Sequence, residues 1–232
     1  MVQLKFKQIW VVVLAALASV VLLTLSVPRM KASFRFLPVD LAIESYYQER
    51  EIPTRRMLTL IGFAETAIAY HDHYRYHDGL SFLYYLRGLD RFTPALERRP
   101  AYRESEAQAI ETVKRAPAQP EAWLRIATVR SILRDEPESV IEPWKMSIFT
   151  GRTHSTLLVP RVEIGLPLSG EMDAEATAML RDQLLLAWEL KPAELLRVLK
   201  QRDPGLVQTR ALAGNINPAA IEEMEARIEK IR

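Results

Sequence analysis

The sequence contains no cysteine. That excludes disulfides and thiolate metal sites, while leaving the compartment open. An excess of one charge is missing too: 31 Lys+Arg stand against 29 Asp+Glu, for a formal net charge of +2. The electrostatic footprint of a nucleic-acid binder is therefore absent. Glycine is scarce, at 8 residues in 232. No phosphate-cradling loop, HExxH helix or Ser/His/Asp ordering can be found. These absences lead us to expect a protein that is not an enzyme and carries no cofactor. What is present is a hydrophobic fraction of 49% to fill a helical core, and 14 prolines to punctuate it.

The longest hydrophobic run lies near the N-terminus. Residues 9–27 carry no charged side chain, close to the roughly 20 apolar residues a membrane helix needs. Ala16-Leu17-Ala18 has the small-x-small form of a cleavage site, but cutting there would leave SVVLLTLSV as an uncovered apolar tail. The segment therefore reads as an uncleaved anchor. Lys5 and Lys7 precede it, and Arg29, Lys31 and Arg35 follow, so the flanking positive charge does not orient it strongly. A short tail ahead of a large domain has the form of a bacterial signal anchor, with its bulk in the periplasm. The expected organisation is a tail (1–8), a transmembrane anchor (9–27), a juxtamembrane linker (28–37) bracketed by Pro28 and Pro38, and a helical domain (38–232).

Residues 39–50 read as a short first helix. Residues 55–74 read as a long one, with Leu58, Ile61, Ala64, Ile68 and Ala69 at near-helical spacing. Its end, YHDHYRYHDG over 70–79, would put His73 and His77 on one helix face, with His71 and Asp72 or Asp78 as further metal ligands. The same composition suits a polar helix end, since histidines interact favourably with the last carbonyls. A small metal-dependent envelope enzyme using His71, His73 and His77 is one alternative function. Residues 80–92 read as a central helix carrying Tyr84 and Tyr85, which either pack in the core or line a groove. A sugar-binding module built on Tyr and Trp faces is a second alternative. The helix expected over 102–115 ends in Lys114 and Arg115, matching the helix dipole.

Residues 117–151, PAQPEAWLRIATVRSILRDEPESVIEPWKMSIFTG, read as two antiparallel helices closed by Gly151. Such a pair leaves an apolar side that needs neighbours of its own kind. Pro117 and Trp123 stand at the spacing between one tetratricopeptide repeat's closing Pro and the next repeat's Trp. Ile126 and Ala127 fall where that pattern has Leu and Gly. Arg130 replaces its Tyr, Pro143 its Phe and, one repeat on, Leu157 its Trp. The stretch resembles a degenerate tetratricopeptide repeat. The resemblance implies an all-α fold, a transmembrane helix followed by a right-handed stack of helical hairpins. Pro143 would cost about 3 kcal/mol inside a straight helix, so a kink or a fresh helix start is expected there.

Further on come Ser147-x-x-x-Gly151, then Pro160-Arg161 and Gly165-Leu166, then a helix with Arg181 and Trp188. Over residues 120–200, and in the anchor, the chain resembles membrane-anchored helical proteins associated with bacterial exopolysaccharide biosynthesis and export. That implies a single-pass inner-membrane scaffold bound to a protein of that machinery, and it brings no active site. The structural or partner-contact candidates are Trp123, Arg161, Trp188, Tyr84 and Tyr85. Arg161 lies in the apolar run LLVPRVEIGL, where an unpaired guanidinium is costly to bury. Glu163 is too close along a helix to face it. A carboxylate from another helix, or backbone carbonyls, must satisfy it; an internal clamp between helices is expected, with substrate binding as the alternative.

In the last third, Asp173 is a good N-cap for a helix to about Leu190, and Pro192 opens the next. Asp203-Pro204-Gly205 breaks that one, and Asn217-Pro218 caps the last. There Ile221, Met224, Ile228 and Ile231 form the narrow stripe of a helix packed on a single neighbour, as a terminal cap or in a dimer.

Overall fold

The computed structural model describes residues 2–48 and 50–230, with side chains from residue 9 onward. Among these residues there are eleven α-helices, one 3-10 turn and no strand. They form two compact units, residues 1–83 and residues 84–232.

The first unit begins with α1 (Val2–Tyr47), which runs without a break. At 1.5 Å per residue it is roughly 69 Å long, more than twice the ~30 Å of a bilayer's hydrocarbon. Its two parts differ in what covers them. The most apolar window has none of its residues buried within the chain, and it is long and apolar enough to cross a membrane. Beyond it, Ala32, Phe36, Val39 and Ala42 are buried at spacings of four, three and three, which is a single helix face. The linker expected over 28–37 and the separate helix expected over 39–50 do not form, because the rod continues through Pro28 and Pro38. An internal proline costs about 3 kcal/mol. Burying Phe36 and Val39 contributes about 1.5–3 kcal/mol each, which offsets Pro38.

That face of α1 meets α2 (Thr54–Tyr70) and the first part of α3 (Tyr74–Leu89). In α2, Met57, Leu60, Ile61, Ala64 and Ala67 are buried, following the apolar periodicity. The helix ends at Tyr70 rather than residue 74, because His71 turns extended with φ −154. α3 then starts before the expected residue 80. Gly79 is required in it: a Cβ there would lie 2.4 Å from Phe36 Cζ, whose ring also sits 4.8 Å from that of Tyr76.

The second unit takes the rest of α3 and then α4 (Ala95–Arg115), α5 (Pro120–Leu133), α6 (Pro137–Thr150) and α7 (Leu158–Gly165). After these come α8 (Ala174–Leu190), α9 (Pro192–Arg202), α10 (Val207–Ala213) and α11 (Pro218–Lys230). α4 starts at Ala95 rather than residue 102 and takes Pro100 inside it. Leu96, whose carbonyl Pro100 leaves without an N–H, is 91% exposed, so water can replace the lost bond. α5 packs against both α4 and α6. The α5–α6 turn is closed by Arg134 at φ 58, with its N–H donating to Ser131 O and that of Asp135 to Arg130 O. This is a Schellman closure, a position that favours glycine. Arg134→Gly is therefore expected to stabilise the protein by about 1 kcal/mol, read as a higher melting temperature.

The remaining helices enclose the largest core, which contains Trp144, Leu158, Leu166, Leu180, Leu184, Leu195 and Leu199. Asp173 caps α8 by accepting the Ala176 N–H at 2.6 Å, and Asn217 caps α11 by accepting that of Ala220 at 3.1 Å. The break after α9 holds because Asp203 turns inward and accepts the Thr209 N–H at 2.8 Å, anchoring α10. Ile221, Met224 and Ile228 are buried in this same core. The stripe on α11 is thus occupied within the chain; Ile231 lies outside the described residues.

Candidate functional site

Ser147, Gly151 and Gln183 converge on Arg161. Its side chain is completely buried. Nε donates to Ser147 Oγ at 3.0 Å and Nη2 to the Ser147 carbonyl at 2.5 Å. Nη1 donates to Gly151 O at 3.0 Å and Gln183 Oε1 at 2.9 Å, with Arg152 O at 3.3 Å. Among the described residues no carboxylate meets it, and the local backbone explains why. α6 ends here, and the last carbonyls of a helix lack intrahelical partners and carry its negative dipole end. The Gly151 N–H tightens to Ile148 O at 3.2 Å instead of reaching Ser147 O, which leaves the Ser147 carbonyl open to the guanidinium. Arg161 is a buried C-terminal cap for α6. Desolvation lowers its pKa to about 10, so it stays charged at neutral pH.

The same spot explains the other motif residues. Trp144, fully buried, donates Nε1–H to Arg161 O at 2.9 Å. A Cβ on Gly165 would come within 2.8 Å of Leu180 Cδ1 and 3.0 Å of Trp144 Cζ2, and one on Gly151 within 2.9 Å of Pro120 Cγ. Gln183, which holds Arg161 and donates to Arg152 O at 3.1 Å, has no sequence signal beyond being a polar residue on the apolar face of α8. With its donors engaged and solvent excluded, Arg161 holds helices together.

A second polar cluster joins α4, α5 and α6. Arg130 Nε donates to Glu106 at 2.6 Å, and Arg103 reaches both Glu106 and Asp135 at 2.8 Å. Arg130 Nη1 also donates to the Ser139 carbonyl at 2.9 Å. That carbonyl is four residues before Pro143, so it is the one the proline leaves without an N–H. α6 accordingly runs through Pro143 with no fresh start. The two departures from the repeat pattern, Arg130 for Tyr and Pro143 for Phe, compensate each other. Glu106, nearly buried, is missed by sequence reading because it looks like one more surface glutamate.

Ion pairing in this unit sets an acid limit. Hydrogen bonds from Arg103 and Arg152 lower the pKa of Asp135 and Asp182, respectively, below the ordinary 3.8. A carboxylate with a depressed folded pKa contributes stability that is complete above its unfolded pKa and is lost as pH falls through the folded one. Urea midpoints are therefore expected to hold steady from pH 7 to about 5 and to fall below about pH 4. Asp135→Asn with Asp182→Asn should flatten that fall.

The aromatic candidates are also used internally. Trp123 and Trp188 are half-buried. Trp123 donates Nε1–H to Pro117 O at 2.7 Å, and Arg227 lies 5.2 Å from the Trp188 ring. Tyr84 and Tyr85 are half-buried, with Tyr85 6.3 Å from Tyr102. Arg181 donates to Leu212 O at 2.7 Å. The large apolar side chains this unit leaves most exposed are others, including Leu96 at 91%, Val207 at 72%, Phe92 at 71% and Phe149 at 60%. Nothing in the sequence marks Phe92, the last residue of the helix expected over 80–92, or Leu96, at the head of the basic run LERRP, as exposed.

His73 and His77 do not share a helix face. His73 lies in the turn before α3 and His77 within that helix. His77 is nearly buried and bonded to Asp72 at 2.9 Å, while the His71 and His73 rings stack 5.9 Å apart. Among the described residues, no three His, Cys, Asp or Glu side chains form a metal-holding group. No protein-family model matches this sequence and no curated protein matches it.

Proposed function

We propose that this protein is a non-enzymatic, single-pass scaffold of the bacterial envelope, supporting exopolysaccharide biosynthesis or export by binding a protein partner. The observation that carries the reading is α1. None of its most apolar window is buried within the chain, and the helix continues as one rod into a packed helical unit. A free apolar helix of that length is stable in lipid and costly in water. We place the helical domain on the periplasmic side of the membrane. We read the packing of α5 against α4 and α6 as a degenerate, right-handed tetratricopeptide-like stack.

The residues shared with the exopolysaccharide-associated proteins are occupied in holding this fold. Recognition then falls to exposed apolar side chains, for which Phe92 and Leu96 are the best placed. Full-length protein extracted in mild detergent should co-purify with proteins of a polysaccharide synthesis or export system. Phe92→Ser with Leu96→Ser should lose them while remaining folded and membrane-bound. Recovery of the wild type with no such partner contradicts the proposal.

A further inference from the structure

Just beyond the apolar part of α1, the first unit has a cavity of about 500 Å³ between α1, the α2–α3 turn and the start of α3. Four of its lining residues are cationic or can become so: Arg29, His71, His73 and Arg75. Two more supply hydroxyls, Ser33 and Tyr76, which hydrogen-bond each other at 3.2 Å. The one acidic lining residue, Asp72, is bonded to His77. Arg75 pairs with Asp40 at 2.8 Å, whereas no carboxylate pairs with Arg29 among the described residues. The Arg75 N–H donates to His73 Nδ1 at 3.3 Å. That bond fixes the neutral tautomer with its proton on Nε2, a donor left for an acceptor in the cavity. Burial first, then the positive charge of His71, Arg75 and Arg29, holds the His73 pKa below its usual 6.5, with Asp72 acting the other way. The cavity is a positive environment.

Its height above the membrane selects the ligand. The last apolar residue of the expected span is Val27. At 1.5 Å per residue, Arg29 and Ser33 rise about 3 and 9 Å beyond it. The headgroup layer on each side of the hydrocarbon is roughly 5–7 Å thick. The cavity therefore opens at the level of lipid phosphates, where anions are concentrated and bulk phosphate must compete with them.

We infer that this cavity binds the phosphate of an anionic phospholipid headgroup, with Arg29 as its ion pair and His73 Nε2 and whichever of the Ser33 and Tyr76 hydroxyls accepts in their mutual bond as hydrogen-bond donors. An anionic headgroup is favoured over a zwitterionic one because a choline or ethanolamine group would meet Arg29 and Arg75. The inference rests on α1 spanning the membrane. Bound lipid would orient the first unit against the bilayer surface instead of leaving it to swing.

The chain has only four histidines, His71, His73, His77 and His154, so each can be followed by NMR in full-length, histidine-labelled protein. In nanodiscs of phosphatidylcholine plus phosphatidylglycerol, the His73 pKa should rise by about one pH unit relative to phosphatidylcholine alone. His154, in the other unit, should not move. Arg29→Gln, at an exposed position, should abolish the rise. Millimolar inorganic phosphate in phosphatidylcholine discs should not reproduce it. The same titration in both lipids, an equal rise at His154, or a rise that survives Arg29→Gln would overturn the inference. A response to inorganic phosphate as large as that to phosphatidylglycerol would overturn its assignment to lipid. Failure of the chain to enter the discs removes the anchor and the inference together; entry without the His73 response removes the inference alone.

Discussion

Replacing Arg161 with methionine is expected to destabilise the protein by about 3 kcal/mol. Methionine fills much of the same space but donates nothing. Gln183 Oε1 then loses the arginine's donor, Ser147 O keeps only the long 3.4 Å contact from Thr150 Oγ1, and half-buried Gly151 O keeps the His154 N–H. Each unmet acceptor costs about 1–3 kcal/mol. Against that stands the relief of no longer burying a charge. The fall of the arginine's pKa from 12.5 to about 10 puts that relief at roughly 3 kcal/mol. Stripping Ser147 O and Gln183 Oε1, together with opening the end of α6 that the guanidinium closes, outweighs that relief, so the net effect is a loss. For a chain of this size it corresponds to a melting temperature lower by about 6–12 °C. Trp144, bonded to the Arg161 carbonyl, gives a local near-ultraviolet signal of the loosened clamp. Arg161→Lys should recover only part, because an ammonium cannot reach acceptors arranged for a planar fork. A variant with methionine that melts with the wild type would show that the buried charge contributes nothing to the fold.

Arg130→Met should cost about 2–3 kcal/mol, and the size of the loss should depend on residue 143. The arginine closes the ion pair to nearly buried Glu106 and supplies the donor missing at Ser139 O. Arg103 still holds Glu106 when Arg130 is gone, which keeps the loss below that of stripping a buried carboxylate bare. In a Pro143→Ala background the helix regains an N–H for Ser139 O. The same Arg130→Met change should then cost about 1 kcal/mol less. Urea unfolding of the four proteins yields that difference directly. Equal costs in both backgrounds would mean that the arginine serves the ion pair alone.

Helices with their own punctuation were legible in the sequence. α6 closes at Gly151, α8 opens after Asp173 and α9 opens at Pro192, as expected, because capping is a local interaction. Errors arose where packing overrules a local breaker. Pro28 and Pro38 read as a linker, yet burial of Phe36 and Val39 carries α1 through. Pro100 and Pro143 sit inside helices because a distant donor or water meets the freed carbonyl, and no sequence window contains that partner. The extended turn at His71 separates His73 from His77 for a comparable reason. Arg161 was recognisable as a clamp from its apolar surroundings. Its partners, Ser147 and Gln183 above all, depend on where α6 ends and how α8 lies across it.

The absence of native cysteine permits a direct test of the anchoring claim. Single cysteines at Leu17, exposed at 58% within the apolar part of α1, and at Leu96 can be probed in cells with a membrane-impermeant maleimide. Leu17→Cys should stay unlabelled until detergent is added, and Leu96→Cys should label once the outer membrane is permeabilised. Labelling of Leu17→Cys in intact membranes would contradict a span, and labelling of Leu96→Cys only after the inner membrane is broken would put the helical domain in the cytoplasm.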